Sequence, residues 1–216
     1  AQARYRFLHD RVQQAAYSLT PEQQRQQLQL RTGRLLLAHT PPSQLEERLF
    51  AILEQLNHAL PLIDDAAERA QLLALNLRGG IKAKAASAYS TAVSLLRVAK
   101  SLLTADAWQQ LPEQTLSLYK ELAEAEYLSG DFAAAEALYP QGLAGATDAQ
   151  AKVTLCLVQA EQYLIQGRFA DSFPVLRFAL ELLGGSFPAS DEEAGQLFPQ
   201  EFEKAEQLLA RQSHAA

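Results

Sequence analysis

Hydrophobic positions recur at helical spacing along most of the chain, most regularly in residues 119–143. Apolar and small residues recur there every three or four positions on both sides of a Ser129-Gly130-Asp131 break; they are Leu122, Ala123, Tyr127, Phe132, Ala135, Leu138 and Tyr139. This pattern predicts two amphipathic helices joined by a tight turn. Because such a hairpin cannot bury its apolar face alone, it needs neighbours of the same shape.

The same periodicity predicts helices elsewhere in the chain. They cover residues 4–18, 21–38, 66–86, 89–103, 148–166, 169–183 and 191–212, and a segment between a Ser43 cap and Pro61. Thr20 is the expected N-cap of the second helix with Pro21 as its first residue, and Pro199 is expected to interrupt the last helix. Gly79-Gly80 costs its helix about 2 kcal/mol relative to two alanines, which indicates a close helix contact at that point.

The composition supports an all-α protein. Apolar residues make up 48% of the 216 residues, and the abundant Ala, Leu, Gln and Glu are good helix formers. A net charge of −6 argues against nucleic acid as a partner, and no apolar run approaches the roughly 20 residues of a membrane span. The single cysteine excludes an intramolecular disulfide and fits the cytoplasm. Because the chain lacks an initiating Met, we expect it to be a fragment of a larger protein.

A short motif repeats along the chain. Gly130-Asp131-Phe132 recurs 37 residues later as Gly167-Arg168-Phe169, and a weaker copy with Ser87 and Tyr89 lies 43 residues upstream. A small residue follows each aromatic after three positions; these residues are Ala92, Ala135 and Ser172. Across residues 64–184 the pattern resembles the tetratricopeptide repeat, although both spacings exceed that family's usual 34 or so. The resemblance implies a right-handed superhelix of antiparallel helix pairs, with small first-helix residues at Gly80, Ala123 and Ala160.

The same resemblance implies a partner-binding groove on the first helices of the repeats. Its lining positions would be Ile81, Lys84, Lys120, Glu124, Tyr127, Leu157, Glu161 and Leu164. A mixture of Tyr, Lys and Glu suits an extended peptide or protein segment better than a small apolar molecule.

The N-terminal Phe7-Leu8-His9-Asp10 motif is a second candidate site. On chemistry alone, His9 and Asp10 could form an acid–base pair, a set of metal ligands or a capped helix start. The run RFLHDRVQQAAYSL resembles the end of the winged-helix subdomain of STAND ATPases (signal-transduction ATPases with numerous domains). The resemblance implies that His9 faces the β-phosphate of ADP as a nucleotide sensor, with Asp10 as its structural partner.

The ATPase itself would lie upstream in the parent protein, because this chain contains no GxxxxGK[ST] loop. HDRVQQAAYSLTPEQQRQQLQLRTGRLLL and LNLRGGIKAKAASAYSTAVSLL are similar to the region after the ATPase core of large bacterial signalling proteins. Those proteins combine a serine/threonine kinase-like domain, a STAND or AAA-type ATPase and often a histidine kinase.

Four segments follow from these expectations. They are the end of a winged-helix-like segment at 1–19, a linking helical hairpin at 20–63, tetratricopeptide-like repeats at 64–188 and a C-terminal capping helix at 189–216. We expect a non-catalytic interaction and sensor arm of a STAND-type ATPase that binds a protein or peptide and needs no cofactor. The alternative is a free-standing tetratricopeptide adaptor.

The remaining chemistry-bearing residues indicate no further site. Cys156 lies on an apolar stripe and is expected to be a buried structural thiol, while His39, His58 and His214 lack metal-ligand spacing. Trp108 is expected to anchor a linker. Two charged clusters are interpreted as solvated helix faces: Arg78, Lys82 and Lys84, and Glu121, Glu124 and Glu126. An all-α enzyme would need a convergent polar cluster, which the sequence does not show.

Overall fold

The computed structural model describes residues 21–188 and 190–213, and throughout these residues the chain forms helices and loops without a strand. The helices are α1 (Glu22–Ala38), α2 (Leu45–His58), α3 (Ala66–Ala85), α4 (Tyr89–Ser101), α5 (Ala107–Gln110), α6 (Pro112–Leu128), α7 (Phe132–Gly145), α8 (Ala149–Ile165), α9 (Phe169–Leu182) and α10 (Asp191–Ser213). The all-α prediction is confirmed for this part of the chain.

The chain divides into two compact units, residues 1–145 and 146–216. In the first unit α1 packs on α2, α3 on α4, and α6 on α7, while α4 and α6 connect consecutive pairs. In the second unit α8 packs on α9. Helix-pair packing is therefore present, and the tetratricopeptide-like superhelix stays a prediction.

The core of the first unit begins between α2, α3 and the loop that joins them. Leu49, Ile52, Leu53 and Ile63 are almost fully buried there against Leu72. The stripe predicted on α2 is therefore the face that α3 covers. Burial of each such side chain stabilises the fold by roughly 1.5–3 kcal/mol.

Gly79 and Gly80 lie where α3 approaches its neighbours most closely. A Cβ on Gly79 would lie 2.6 Å from Leu53 Cδ1 of α2, and one on Gly80 would overlap the Leu96 side chain of α4. The absence of side chains lets both neighbouring helices contact the α3 backbone. The predicted reason for tolerating two glycines in a helix is confirmed.

Three turns that the repeat predicts as equivalent have the same local geometry. Their central residues are Ser87, Gly130 and Gly167, with φ of +59°, +90° and +73°. In each, the N–H of the next residue donates to the carbonyl five positions earlier, at 2.9, 3.0 and 2.8 Å. This is the Schellman end of a helix, which favours glycine at the left-handed position. The three helix pairs α3–α4, α6–α7 and α8–α9 therefore turn in the same way.

The small residues of the repeat are buried as its pattern predicts. Ala92, Ala123 and Ala135 are fully buried, and Ala160 and Ser172 are each 2% exposed. These positions let the two helices of each pair approach closely.

Three predicted helix boundaries are wrong in detail. Helix α1 begins at Glu22 with Pro21 at its N-cap position, and Thr20 lies outside the described residues. Ser43 belongs to a short 3₁₀ turn, so that Gln44 precedes α2 instead. Helix α10 continues through Pro199. The proline removes one backbone hydrogen-bond donor, and the hydrogen bonds on either side of it hold the helix.

Candidate interaction surfaces

Lys84 of α3 is held between two glutamates of α6. Its Nζ lies 2.5 Å from Glu121 Oε2 and donates a hydrogen bond to Glu124. The lysine side chain is 17% exposed and that of Glu121 is 12% exposed. Burial disfavours the charged ammonium, but pairing with both glutamates outweighs this and raises the pKa of Lys84 above its ordinary value. Two of the predicted groove residues, Lys84 and Glu124, therefore form an ion pair that joins α3 to α6.

The other predicted groove positions of the first unit are more accessible. Ile81 is 38% exposed, and Lys120 and Tyr127 are half-buried. The Tyr127 ring lies 5.2 Å from the Phe132 ring at the start of α7, tilted by 52°. Because Lys120, Glu124 and Tyr127 are spaced by one helical turn, they share one side of α6.

A second bridge joins α4 to α6. Arg97 donates from Nε to Glu126 Oε1 at 2.7 Å and from Nη2 to Glu126 Oε2 at 2.9 Å. Glu126 is only 2% exposed, whereas the Arg97 side chain is 56% exposed. Hydrogen bonding to Glu126 raises the pKa of Arg97. The sequence interpretation of Glu126 as a solvated charge is wrong, because its carboxylate is buried and hydrogen-bonded to the Arg97 guanidinium of α4.

Helix α3 also carries two cationic residues that contact α2. Arg78 forms an ion pair with Glu46, and Lys82 Nζ lies 3.2 Å from the other carboxylate oxygen of Glu46. The predicted solvated face agrees with Arg78 and Lys82, whose side chains are 49% and 39% exposed, and is wrong for Lys84, whose side chain is 17% exposed. All three cations also form interhelical ion pairs, which a single sequence does not reveal because the partners lie about 30 to 40 residues away.

Trp108 of the short helix α5 anchors the connection between α4 and α6, as predicted. Its ring stacks on Tyr119 with centroids 5.5 Å apart. A Cβ on Gly145 would overlap the indole, so that the glycine backbone forms one wall of the tryptophan site. The Lys100 ammonium lies 5.7 Å from the Tyr119 ring centroid. These contacts leave Trp108 half-buried.

In the second unit α8 exposes the three positions predicted for the groove. Leu157 is 52% exposed, Leu164 is 42% exposed and Glu161 between them is exposed. Ile165, which the sequence interpretation missed, adds to this surface at 66% exposure. Cys156 is fully buried on another face, and burial raises the pKa of its thiol, which agrees with a structural role.

Helix α9 carries an apolar surface that the sequence interpretation did not single out. A cavity of about 440 Å³ lies against Phe173, Pro174, Leu176 and Leu180, with Phe187 and Pro188 of the following loop on its rim. Phe173 is 60% exposed. The signal was present in the sequence as the spacing of 169, 173, 176, 180 and 183, which alternates steps of four and three.

No metal site or membrane-spanning helix occurs in the described ranges 21–188 and 190–213. Their His, Cys, Asp and Glu residues form no cluster able to hold a metal ion, and none of their helices is both long and apolar enough to cross a bilayer. His39 and His58 each pair through Nδ1 with a carbonyl one turn earlier, at 2.9 and 2.7 Å. His9 and Asp10 lie outside the described residues.

The chain matches no protein-family model and no solved structure significantly. It is 26% identical over 192 residues to hybrid signal transduction histidine kinase G of Dictyostelium discoideum. That alignment covers 78% of this chain and 6% of the kinase. The chain is therefore similar to a small segment of a much longer signalling protein.

Proposed function

We propose that this chain is a non-catalytic helical-repeat arm that binds a protein or peptide partner within a larger signal-transduction protein. The observation that carries the proposal is the recurrence of one hairpin turn at Ser87, Gly130 and Gly167 with the same backbone hydrogen bond. Arrays of such hairpins present extended surfaces made from successive helices and commonly bind other proteins.

The hairpins of the first unit support a tetratricopeptide-like arrangement. Helix α6 contacts both α3 and α4, as the first helix of one repeat does with the preceding pair. The ion pairs of Lys84 and Arg97 fix both contacts. A right-handed superhelix built from these pairs is part of the proposal.

The surface proposed to capture the partner in the first unit consists of Ile81, Lys120 and Tyr127. Lys84 and Glu124 lie beside it and hold α3 and α6 in place. An apolar side chain, a cation and an aromatic ring offer hydrophobic, ionic and hydrogen-bonding contacts to an extended peptide. Leu157, Glu161 and Leu164 of the second unit form a separate exposed patch of the same character.

Coupling to a nucleotide switch is the second part of the proposal. An upstream STAND-type ATPase would sense its nucleotide through His9 and be biased by partner binding to the arm, in the cytoplasm. The likeness to a segment of a protein described as a signal transduction histidine kinase supports a place in a multidomain signalling chain. The parent reading frame should therefore encode a GxxxxGK[ST] sequence upstream of Ala1, and its absence would remove the ATPase link.

The binding surface can be tested by affinity capture with this chain from lysate of the source cells. The double variant Lys120→Glu and Tyr127→Ala should lose the captured protein, because it removes the cation and the ring without touching the Lys84 bridge. Glu124 is left unchanged in this variant, because Glu124→Lys would place a second ammonium beside Lys84 and destabilise the fold.

The matched control is Leu35→Ala on α1, an exposed residue remote in sequence from the proposed surface. It should capture the partner as the unmodified chain does, with unchanged helicity by circular dichroism in both variants. Equal capture by the double variant would show that this surface is not used. Measurable ATP hydrolysis by the isolated chain would contradict the non-catalytic role.

A further inference from the structure

Helix α9 and the loop after it form an apolar cavity in the second unit. The cavity has a volume of about 440 Å³, and its walls include Phe173, Leu176 and Leu180 of the helix. Phe187 and Pro188 of the loop lie on its rim. This volume is within the roughly 300–1,000 Å³ that is usual for small-molecule sites, whose walls are mostly apolar.

The end of α9 shapes the cavity by local geometry. Gly184 has a φ of +78°, and the N–H of Gly185 donates to the Leu180 carbonyl, five positions earlier, at 3.0 Å. This is again a Schellman end, which turns the chain back over the helix. A Cβ on Gly185 would lie 2.5 Å from Leu180 Cδ1, so the loop backbone rests directly on α9. The lining residues therefore all come from α9 and its own loop, which brings Phe187 to the cavity.

Arg177 provides a charged group at this apolar cavity. It follows Phe173 by four residues and precedes Leu180 by three, so the three side chains share one side of α9. Among the described residues that line the cavity, Arg177 carries the only charge. Its pair with Glu181 spans 4.0 Å between two side chains that are both more than half exposed, so this pair holds the guanidinium only weakly. The guanidinium can therefore bind an anion at the cavity.

Apolar walls and one guanidinium together define the class of ligand. A planar guanidinium binds a carboxylate through two parallel hydrogen bonds. One cation balances one negative charge, and the net charge of −6 and the neighbouring Glu181 disfavour a dianion such as a phosphate monoester. The apolar walls favour a ligand with an aliphatic or aromatic body.

We propose that this cavity binds a small apolar monocarboxylate. Its carboxylate pairs with Arg177, and its hydrocarbon body packs against Phe173 and Leu180. The site is separate from the surface proposed to capture a protein partner in the first unit, so either proposal can fail without the other.

Titration of the full chain with three probes of equal chain length tests the proposal. Octanoate carries a carboxylate, octan-1-ol is neutral and octylammonium is cationic. Calorimetry and saturation-transfer NMR should show octanoate binding about 5-fold more tightly than octan-1-ol, and octylammonium binding most weakly, because only the carboxylate pairs with Arg177. Equal binding of octanoate and octan-1-ol, or no detectable binding of octanoate at millimolar concentration, would overturn the proposal.

Arg177→Met removes the guanidinium and keeps an apolar side chain of similar length. It should weaken octanoate binding by about 5-fold and change octan-1-ol binding by less than about 2-fold. The matched control is Arg168→Met, at the start of α9 and not on the cavity, which should change octanoate binding by less than about 2-fold. Undiminished octanoate binding by Arg177→Met would contradict the assigned role of the guanidinium.

Phe173→Asp tests the apolar wall. The new carboxylate should weaken binding of both octanoate and octan-1-ol by about 5-fold or more, with unchanged helicity by circular dichroism. Retained octanoate binding would place the ligand elsewhere and overturn the proposal. A dimer mass by light scattering that Phe173→Asp abolishes, without octanoate binding to the unmodified chain, would assign the surface to a second copy and overturn it equally.

Discussion

The described ion pairs of the two units differ in how far apart along the chain their partners lie. In the first unit, interhelical bridges include buried or half-buried carboxylates, such as Glu126 paired with Arg97 and Glu121 paired with Lys84. In the second unit, the pairs Arg168–Asp171 and Arg177–Glu181 join residues three and four positions apart. Large apolar side chains are exposed in both units, and in the second they lie on each of its helices α8, α9 and α10.

A buried amide pair extends the contrast. Asn57 of α2 donates to Asn76 Oδ1 of α3 at 2.8 Å, and Asn76 returns a bond to Asn57 Oδ1 at 2.9 Å. Asn76 is fully buried and also donates to the Leu72 carbonyl at 2.9 Å. Each such pair is satisfied in one helix register only, since a shift would leave a buried polar group unpaired.

Polar bridges and apolar contacts constrain neighbouring helices to different degrees. Directional bridges fix neighbouring helices of the first unit in one arrangement, which suits a scaffold that presents a surface. Apolar contacts are less directional, so the exposed apolar side chains of the second unit do not by themselves fix the orientation of a neighbour. Substitutions paired across the units can test whether the contrast is energetic as well as geometric.

The largest effect is expected where helices contact through glycine. Gly80→Ala should lower the free energy of unfolding by about 2 kcal/mol, because the new methyl group overlaps the fully buried Leu96. Gly195→Ala in α10 meets no atom within 4 Å and should be neutral or stabilise its helix by up to about 1 kcal/mol. Urea unfolding followed by circular dichroism measures both. A stabilising Gly80→Ala would show that the contact is loose.

A smaller effect is expected from the ion pairs. Arg97→Ala leaves the buried Glu126 carboxylate without its bidentate partner and should cost about 1.5 kcal/mol, less than for a fully buried pair because Arg97 is half-exposed. Arg177→Ala removes an exposed pair with atoms 4.0 Å apart and should change stability by less than about 0.5 kcal/mol. Equal losses in urea unfolding for these two variants would contradict the contrast between the units.

Local signals in the sequence predicted the helices and the repeated turns well. The spacing of apolar residues locates α3 and α4 to within a few residues, whereas α6 begins at Pro112, seven residues before the predicted hairpin. Gly130 and Gly167 mark turns that need a left-handed residue. Ser87 occupies the same conformation without being glycine, which is why the first copy looked weaker in sequence.

Contacts between distant residues could not be predicted in the same way. Nothing near Lys84 in the sequence shows that Glu121 and Glu124 will lie beside it, because the pairing depends on how α6 crosses α3. The groove positions were assigned one helix at a time, so their mutual ion pairs were not foreseen. The α9 cavity was missed because a stripe of apolar residues predicts burial and does not show which helix provides it.

The smallest effect concerns the Lys84 bridge, and it depends on pH. Lys84→Met keeps the apolar stem but removes the ammonium, and should lower the free energy of unfolding by about 1 kcal/mol near neutral pH. Because pairing raises the pKa of Lys84 in the folded chain, its contribution is fully present below the unfolded pKa of about 10.4. This contribution is lost as the pH rises through the pKa of Lys84 in the folded chain. The difference in the free energy of unfolding between wild type and Lys84→Met should therefore shrink as the pH rises above about 10.4.

The contribution of the Lys84 bridge is isolated only by the difference in unfolding free energy between wild type and Lys84→Met. Burial also raises the pKa of Tyr119, and this residue is present in both proteins. Urea midpoints of wild type and Lys84→Met, measured in parallel from pH 7 to pH 11, give that difference. Adding Glu124→Gln to both should reduce it at neutral pH, because one of the two carboxylates then no longer holds the ammonium. A difference that stays constant through pH 11 would show that Lys84 stabilises the first unit by packing of its stem and not by its charge.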